Sequence, residues 1–265
     1  MYTSFQLAKK YIHYYLTAAN GKGHGTHSPF VFDFILSVLN NRQHYTPPAK
    51  IEALRKKLLH DGTAIQIEDL GAGSRKGTTK KRTVKEIAAT AVKPKKWSHF
   101  LYRLVSHYKP QTIIELGTSL GISTAYMAAA NGAANIYTIE GSPAIQQVAA
   151  QNFKQLGCTN IHSLTGNFDE VLPKVIADVS TIDLAYIDGN HRYAPTMAYF
   201  EQLLQKKSNN SIFIFDDIHW SAEMEGAWEE IKKHPSVTVS IDLFFMGLIL
   251  FRKEVKVSQH YSIRF

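Results

Sequence analysis

Residues 113–123 read IIELGTSLGIS. An apolar run ends in an acid, Glu115, and then Gly117 and Gly121 bracket a small polar turn before STAYMAAA opens an amphipathic segment. That is the pattern of a strand turning sharply into a helix. In a doubly wound sheet a nucleotide lies at the carboxyl ends of the strands, where glycines let the backbone approach it. The following apolar run, NIYTIE, ends in Glu140, at roughly the 20-residue spacing where an acid accepts from ribose hydroxyls. Residues 67–77, IEDLGAGSRKG, begin in the same way but fail the second half of the test. There TVKEIAATAV leads into KPKKW and not into another strand ending in an acid.

Working outward, TIIEL, NIYTIE, IHSLTG, DLAYID, SIFIFDD, VTVSIDL and GLILFRK read as seven short strands, with five amphipathic helices expected between the first six. The last two runs are joined without a helix, which predicts an antiparallel hairpin at the end of an otherwise parallel sheet. The fold class is therefore α/β: a doubly wound, mostly parallel seven-stranded sheet with an antiparallel last strand. Before residue 60 the texture is helical. FQLAKKYIHYYL and IEALRKKLL carry apolar residues at helical spacing, and Ser28-Pro29 opens a helix that turns Phe30, Val31, Phe34, Ile35 and Leu39 inward. The expected organisation is a helical extension over 1–66, a basic Gly/Lys-rich segment with a lid role over 67–96, and the catalytic domain over 97–265.

The stretch ELGTSLGIST resembles the first motif of class I S-adenosylmethionine-dependent methyltransferases, particularly the O-methyltransferase branch with E-x-G-T-x-x-G-x-S. The terminal hairpin resembles the reversed seventh strand that sets that fold apart from dinucleotide-binding ones. The resemblance covers residues 97–253 and implies S-adenosylmethionine as the cofactor. It also implies site residues: Glu115, Gly117, Ser119 and Gly121 at the methionine end, Glu140 on the ribose, and Gly166, Asn167 and Phe168 of LTGNFDE beside adenine.

DLAYIDGNHRY and SIFIFDDIHW supply three carboxylates at two strand ends, Asp188, Asp216 and Asp217. Carboxylates gathered at one rim repel unless protons or a cation intervene, and hard dications such as Mg²⁺ take oxygen ligands of this kind. D-G-x-H-x-Y resembles a methyltransferase subgroup in which this aspartate and an acidic or Asp-Asn pair on the next strand bind magnesium. Catechol-type relatives usually carry Asn where this chain has Asp217. Asp188 is accordingly expected in the cofactor, metal and catalytic groups alike. His191 stands where catechol-type and caffeoyl-type relatives carry a lysine, and an imidazole can take a proton at neutral pH. His219 and Trp220 read as packing residues or a pocket wall.

The net charge of +8 is concentrated between residues 71 and 96, where Arg75, Lys76, Lys80, Lys81, Arg82, Lys85, Lys93, Lys95 and Lys96 face Glu86 alone. Such a stretch is either a solvated face or a segment that meets an anionic acceptor. Asp69 and Arg75 are candidates for a lid, and His24 and His27 of HGTHSPF for a polar helix-entry turn. The single cysteine, Cys158, excludes an internal disulfide and reads as a packed filler. No apolar run reaches the length of a membrane span, so a soluble cytoplasmic protein with no membrane partner is expected. The function these features predict is methyl transfer to an oxygen of a small molecule, with metal assistance. The rivals are a nucleic-acid methyltransferase using the basic segment, disfavoured because the amino-methylating D/N-P-P-Y/F motif is absent, and a binding protein without turnover.

Overall fold

A computed structural model describes residues 1–23, 28–41, 46, 48–68 and 79–265. The chain runs α1 (Ser4–Thr17), α2 (Pro29–Asp33), a π-helical turn (Phe34–Leu39), α3 (Ala49–Leu58), β1 (Ala64–Glu68), β2 (Thr79–Thr83), α4 (Val84–Ala91) and α5 (Lys95–Tyr108). Strands and helices then alternate: β3 (Thr112–Leu116), α6 (Ile122–Ala130), β4 (Asn135–Glu140), α7 (Pro143–Leu156), β5 (Ile161–Thr165), α8 (Phe168–Asp178), β6 (Ile182–Ile187), α9 (Tyr193–Leu204), β7 (Lys207–Asp216) and α10 (Ala222–Lys233). Strands β8 (Val239–Asp242), β9 (Met246–Leu250) and β10 (Gln259–Ser262) follow. The seven expected strands are β3 to β9, and the five expected helices are α6 to α10. The fold is α/β with a mostly parallel sheet, which has eight strands because β10 was not foreseen.

By internal contacts the chain forms two compact units, Met1–Asn40 with Ile176–Phe265, and Asn41–Val175. In the second unit, β3, β4 and β5 pair in parallel. Their runs are apolar because a parallel strand is covered on both faces. Strands β1 and β2 form a separate antiparallel hairpin, with Gln66 opposite Lys81 and Glu68 opposite Thr79. Ile67 and Glu68 of the run IEDL thus end a strand that pairs antiparallel with β2, and the residues that follow, 69–78, lie outside the described ones. Ile51, Leu54 and Leu58 of α3, with Val84, Ile87 and Ala88 of α4, share a core with Leu120, Ile122, Ala125 and Tyr126. Residues 79–91 of the basic stretch are therefore a strand and a helix with a buried face. Lys95 sits 2.7 Å from Glu52. Asp69 and Arg75, proposed for a lid, and His24 and His27 lie outside the described residues.

In the first unit the strand order is β10-β8-β9-β7-β6. Strand β9 is antiparallel to both β7 and β8, so the expected hairpin is present. Strand β10 adds in parallel to β8 at the edge. Ser28 caps α2, its side chain accepting from the Val31 amide, and the following π-helical turn buries Phe34, Ile35, Val38 and Leu39. Helix α1 is stitched to this unit by polar contacts. The Tyr14 hydroxyl donates to the Ile263 carbonyl, and Tyr14 packs with Ala18 against Phe244. The Tyr2 hydroxyl donates to Glu225 at 2.7 Å and Lys10 Nζ lies 2.9 Å from the same carboxylate. His219, expected as a packing group or pocket wall, bridges Glu225 at 3.0 Å through Nδ1 and Asp242 at 2.8 Å through Nε2.

Burial alone would lower the pKa of His219, but Asp242 and then Glu225 outweigh it and raise the value above the ordinary one. A raised folded pKa stabilises fully below the unfolded value of about 6.5 and is lost as pH climbs through the folded value. His219→Gln is therefore expected to lower the melting temperature most near pH 6 and least at pH 9, measured by thermal denaturation across that range. A difference between the two proteins that does not change with pH would contradict the charged bridge.

Candidate functional site

In the second unit the site is the turn between β3 and α6. Gly117, Ser119 and Gly121 all have positive φ, at 100°, 49° and 79°. Glycine adopts this region freely, whereas serine does so at a cost. At Gly121 a Cβ would also run into the ring of Phe153, so neither the backbone nor the space admits a side chain. The amides of Gly117 and Thr118 donate to the Ile139 carbonyl at 2.9 and 3.3 Å, which hangs the turn from the end of β4.

Beneath the turn lies Glu115, with none of its surface exposed. Its Oε2 accepts from the hydroxyls of Thr124 at 2.5 Å and Thr138 at 2.6 Å. The Thr138 oxygen is 2.6 Å from that of Thr118. Because Thr138 spends its one hydrogen on Glu115, Thr118 is the donor of that second bond. The expectation that Glu115 faces a methionine group is thus met by a side chain turned into the fold, where it ties β3, β4 and α6 together. Sequence reading missed Thr118, Thr124 and Thr138, although a hydroxyl on each element next to a buried acid is the available signal.

Glu140 is half-buried at the end of β4. Its Oε2 accepts from the Ser119 amide at 2.8 Å and its Oε1 from the Ser142 amide at 3.0 Å. An oriented acid beside a glycine turn is the kind of group that fits a ribose diol. Gly166 has φ 144°, a Cβ there would lie 2.8 Å from Val171, and its amide donates to the Glu140 carbonyl at 3.0 Å. Asn167 starts α8, its Oδ1 accepting from the Asp169 amide at 3.1 Å. Phe168 is the first residue of that helix and is half-buried.

In the first unit Asp188, His191 and Asp216 each bring a ligand atom within 4.8 Å of the others. Asp188 follows β6 and accepts from the Tyr186 hydroxyl at 3.0 Å, while His191 Nε2 lies 3.6 Å from its other oxygen. Asp216 ends β7 and is 1% exposed. The trio expected from sequence was Asp188, Asp216 and Asp217, and the third member needs correction: Asp217 is not in the group. The chain turns left-handed at Asp217, with φ 54°, and its amide donates to the Phe245 carbonyl at 2.7 Å. Successive side chains on a strand point apart, and the turn carries the second aspartate away from the first. Asp and Asn are the residue types that tolerate this backbone best. Asp188 and Asp216 offer carboxylate oxygens of the kind that hard dications such as Mg²⁺ and Mn²⁺ take, with the His191 imidazole beside them.

Residues 114–218 match a family described as a methyltransferase domain. A catechol O-methyltransferase of Niastella koreensis is 29% identical over 124 residues, 45% of this chain and 54% of the relative. The O-methyltransferase hkm8 of Aspergillus hancockii is 30% identical over 128 residues, 45% of this chain and 49% of the relative. An uncharacterized protein y4gI of Sinorhizobium fredii is 25% identical over 57% of this chain and 18% of its own length. The chain thus spans about half or less of these curated relatives. Among solved structures, the methyltransferase PaMTH1 of Podospora anserina, bound to S-adenosylhomocysteine, superposes with a TM-score of 0.59 at 14% identity, covering 85% of this chain and 97% of that one. An O-methyltransferase of Bacillus cereus with the same ligand gives 0.55 at 19% identity, over 63% and 88%. The structural likenesses speak to the fold alone, and the sequence matches make residues 114–218 similar to a methyltransferase domain.

Proposed function

We propose that the protein transfers the methyl group of S-adenosylmethionine to an oxygen of a small molecule. The observation that carries this reading is Glu140, an acid at the end of β4 whose two oxygens are oriented by the Ser119 and Ser142 amides beside a glycine turn. Gly117 and Gly121 would admit the methionine end, Ser119 would hold Glu140 in place, and Gly166, Asn167 and Phe168 would border the adenine. Bound S-adenosylmethionine supplies an electrophilic methyl on a sulfonium leaving group. Most of the remaining work is positioning.

The acceptor side of the proposal rests on Asp188, His191 and Asp216. His191 would take the proton from the acceptor hydroxyl, and Asp188 at 3.6 Å would orient the imidazole. A dication held by Asp188 and Asp216 would lower the hydroxyl's pKa and orient it. A small catechol is the first acceptor to assay, because one relative bears that name. The protein is further proposed to act in the cytoplasm. Transfer of radiolabelled methyl to a catechol supports the proposal. Transfer to nucleic acid alone, or tight cofactor binding with no turnover on any hydroxyl acceptor, supports one of the rivals.

Glu140→Ala is expected to weaken S-adenosylhomocysteine binding by about 1–3 kcal/mol, the range for losing hydrogen bonds to a charged group. Isothermal titration measures it, and equal affinities would remove Glu140 from the ribose. For the metal, Mn²⁺ is expected to raise the melting temperature of the wild type in a concentration-dependent way, since it binds only the folded state. Asp216→Asn should abolish the shift, while Asp217→Asn should keep it. A shift that survives Asp216→Asn, or one lost with Asp217→Asn alone, would contradict the assignment of ligands.

A further inference from the structure

Helix α1 divides into three faces. Tyr14 and Ala18 are buried against Phe244, and Tyr11 packs on the same cluster. Tyr2 and Lys10 reach Glu225. The third face carries Met1, Phe5, Ile12, Tyr15 and Leu16, which are 87%, 80%, 59%, 52% and 75% exposed, together with the exposed Ala8. The spacing 5, 8, 12, 15 and 16 follows the helical period, so these side chains form one continuous apolar stripe, with Met1 just before the helix. A helix of 14 residues gives it a length of about 21 Å. Isolated exposed apolar residues are ordinary, but a contiguous row along a whole helix marks a surface that meets something apolar.

The charges beside the stripe indicate what it meets. Lys9 and His13, both exposed, border one side, and the Arg264 guanidinium lies 5.4 Å from the centre of the Tyr15 ring on the other. No Asp or Glu occurs before Asp33, whereas the same stretch contains Lys9, Lys10 and Lys22. A second copy docking face to face through a two-fold axis would set these cations against themselves. An apolar stripe on a helix that carries cations and no carboxylate of its own is instead complementary to an anionic lipid surface, with apolar side chains in the headgroup boundary and the exposed cations at the phosphates. Glu225 is taken up by Lys10, Tyr2 and His219. Among the described residues no helix is long and apolar enough to cross a membrane, so any attachment through α1 would be peripheral.

We infer that α1 docks the protein on anionic lipid surfaces, with Phe5, Ile12 and Leu16 as the inserting side chains and Lys9 and Arg264 as the phosphate contacts. The inference is independent of the proposed catalytic function. It revises the expectation, drawn from the absence of a spanning segment, that no membrane takes part. The test is co-sedimentation of the full chain with vesicles of phosphatidylglycerol and phosphatidylcholine, and with phosphatidylcholine alone. Wild type is expected to pellet with the anionic vesicles only, and less so at high salt. Phe5→Ser with Leu16→Ser should reduce binding about tenfold or more and Lys9→Glu should reduce it several-fold, with melting temperatures unchanged because these side chains are exposed. Equal pelleting of wild type and the double variant would overturn the inference, as charge elsewhere would then be responsible. It would also be overturned if the wild type sediments as a dimer without lipid and the double variant as a monomer, because the stripe would then join copies.

Discussion

The carboxylate of Glu115 has no contact with solvent, and a buried carboxylate is tolerated only where hydrogen bonds replace its water. Two threonine hydroxyls do so here, one from α6 and one from β4, and a third threonine in the turn donates to the second. The four side chains fix the end of one strand, the body of its neighbour and the first turn of the following helix. That constraint holds the left-handed backbone of Gly117, Ser119 and Gly121 in place. It is also why the Ser119 amide points at Glu140. The acid nearest the glycines thus holds the turn from within, and the acid on the next strand, half-buried and oriented by two amides, is the one proposed to meet the ribose.

A similar division operates between Asp216 and Asp217 in the other unit. Adjacent in sequence, they differ in backbone: the first ends a regular strand and converges with Asp188 and His191, and the second turns left-handed and hydrogen-bonds through its amide to Phe245. Electrostatics alone predicts that three neighbouring carboxylates share a cation. Chain geometry gathers two of them and sets an imidazole beside them.

The strands β3 to β9 were legible because covered parallel strands must be apolar, and because the helices between them keep the helical period. Strand β10, QHYS, was not: an edge strand pairs on one side and needs no apolar run. Strand β2, TKKRT, was hidden by its charge and read as part of a lid, although its partner AIQIE gives it a full antiparallel register. The β3–α6 turn and the acids at the ends of β3 and β4 were legible as positions, from glycine and acid spacing. Their roles were not, because spacing cannot say whether an acid at a strand end turns inward, as Glu115 does, or stays accessible, as Glu140 does. The apolar stripe of α1 was visible as periodicity, but only its exposure distinguishes a docking face from a core face.

The claim at the centre of this account is that the β3–α6 turn and Glu140 form the nucleoside cradle. A crystal structure of the protein with S-adenosylhomocysteine tests it most directly. The account predicts both ribose hydroxyls within hydrogen-bond distance of the Glu140 carboxylate, with Ser119 and Ser142 still donating to it and Glu115 still held by Thr124 and Thr138. A ligand bound elsewhere, or one bound at the turn with its ribose away from Glu140, would contradict it.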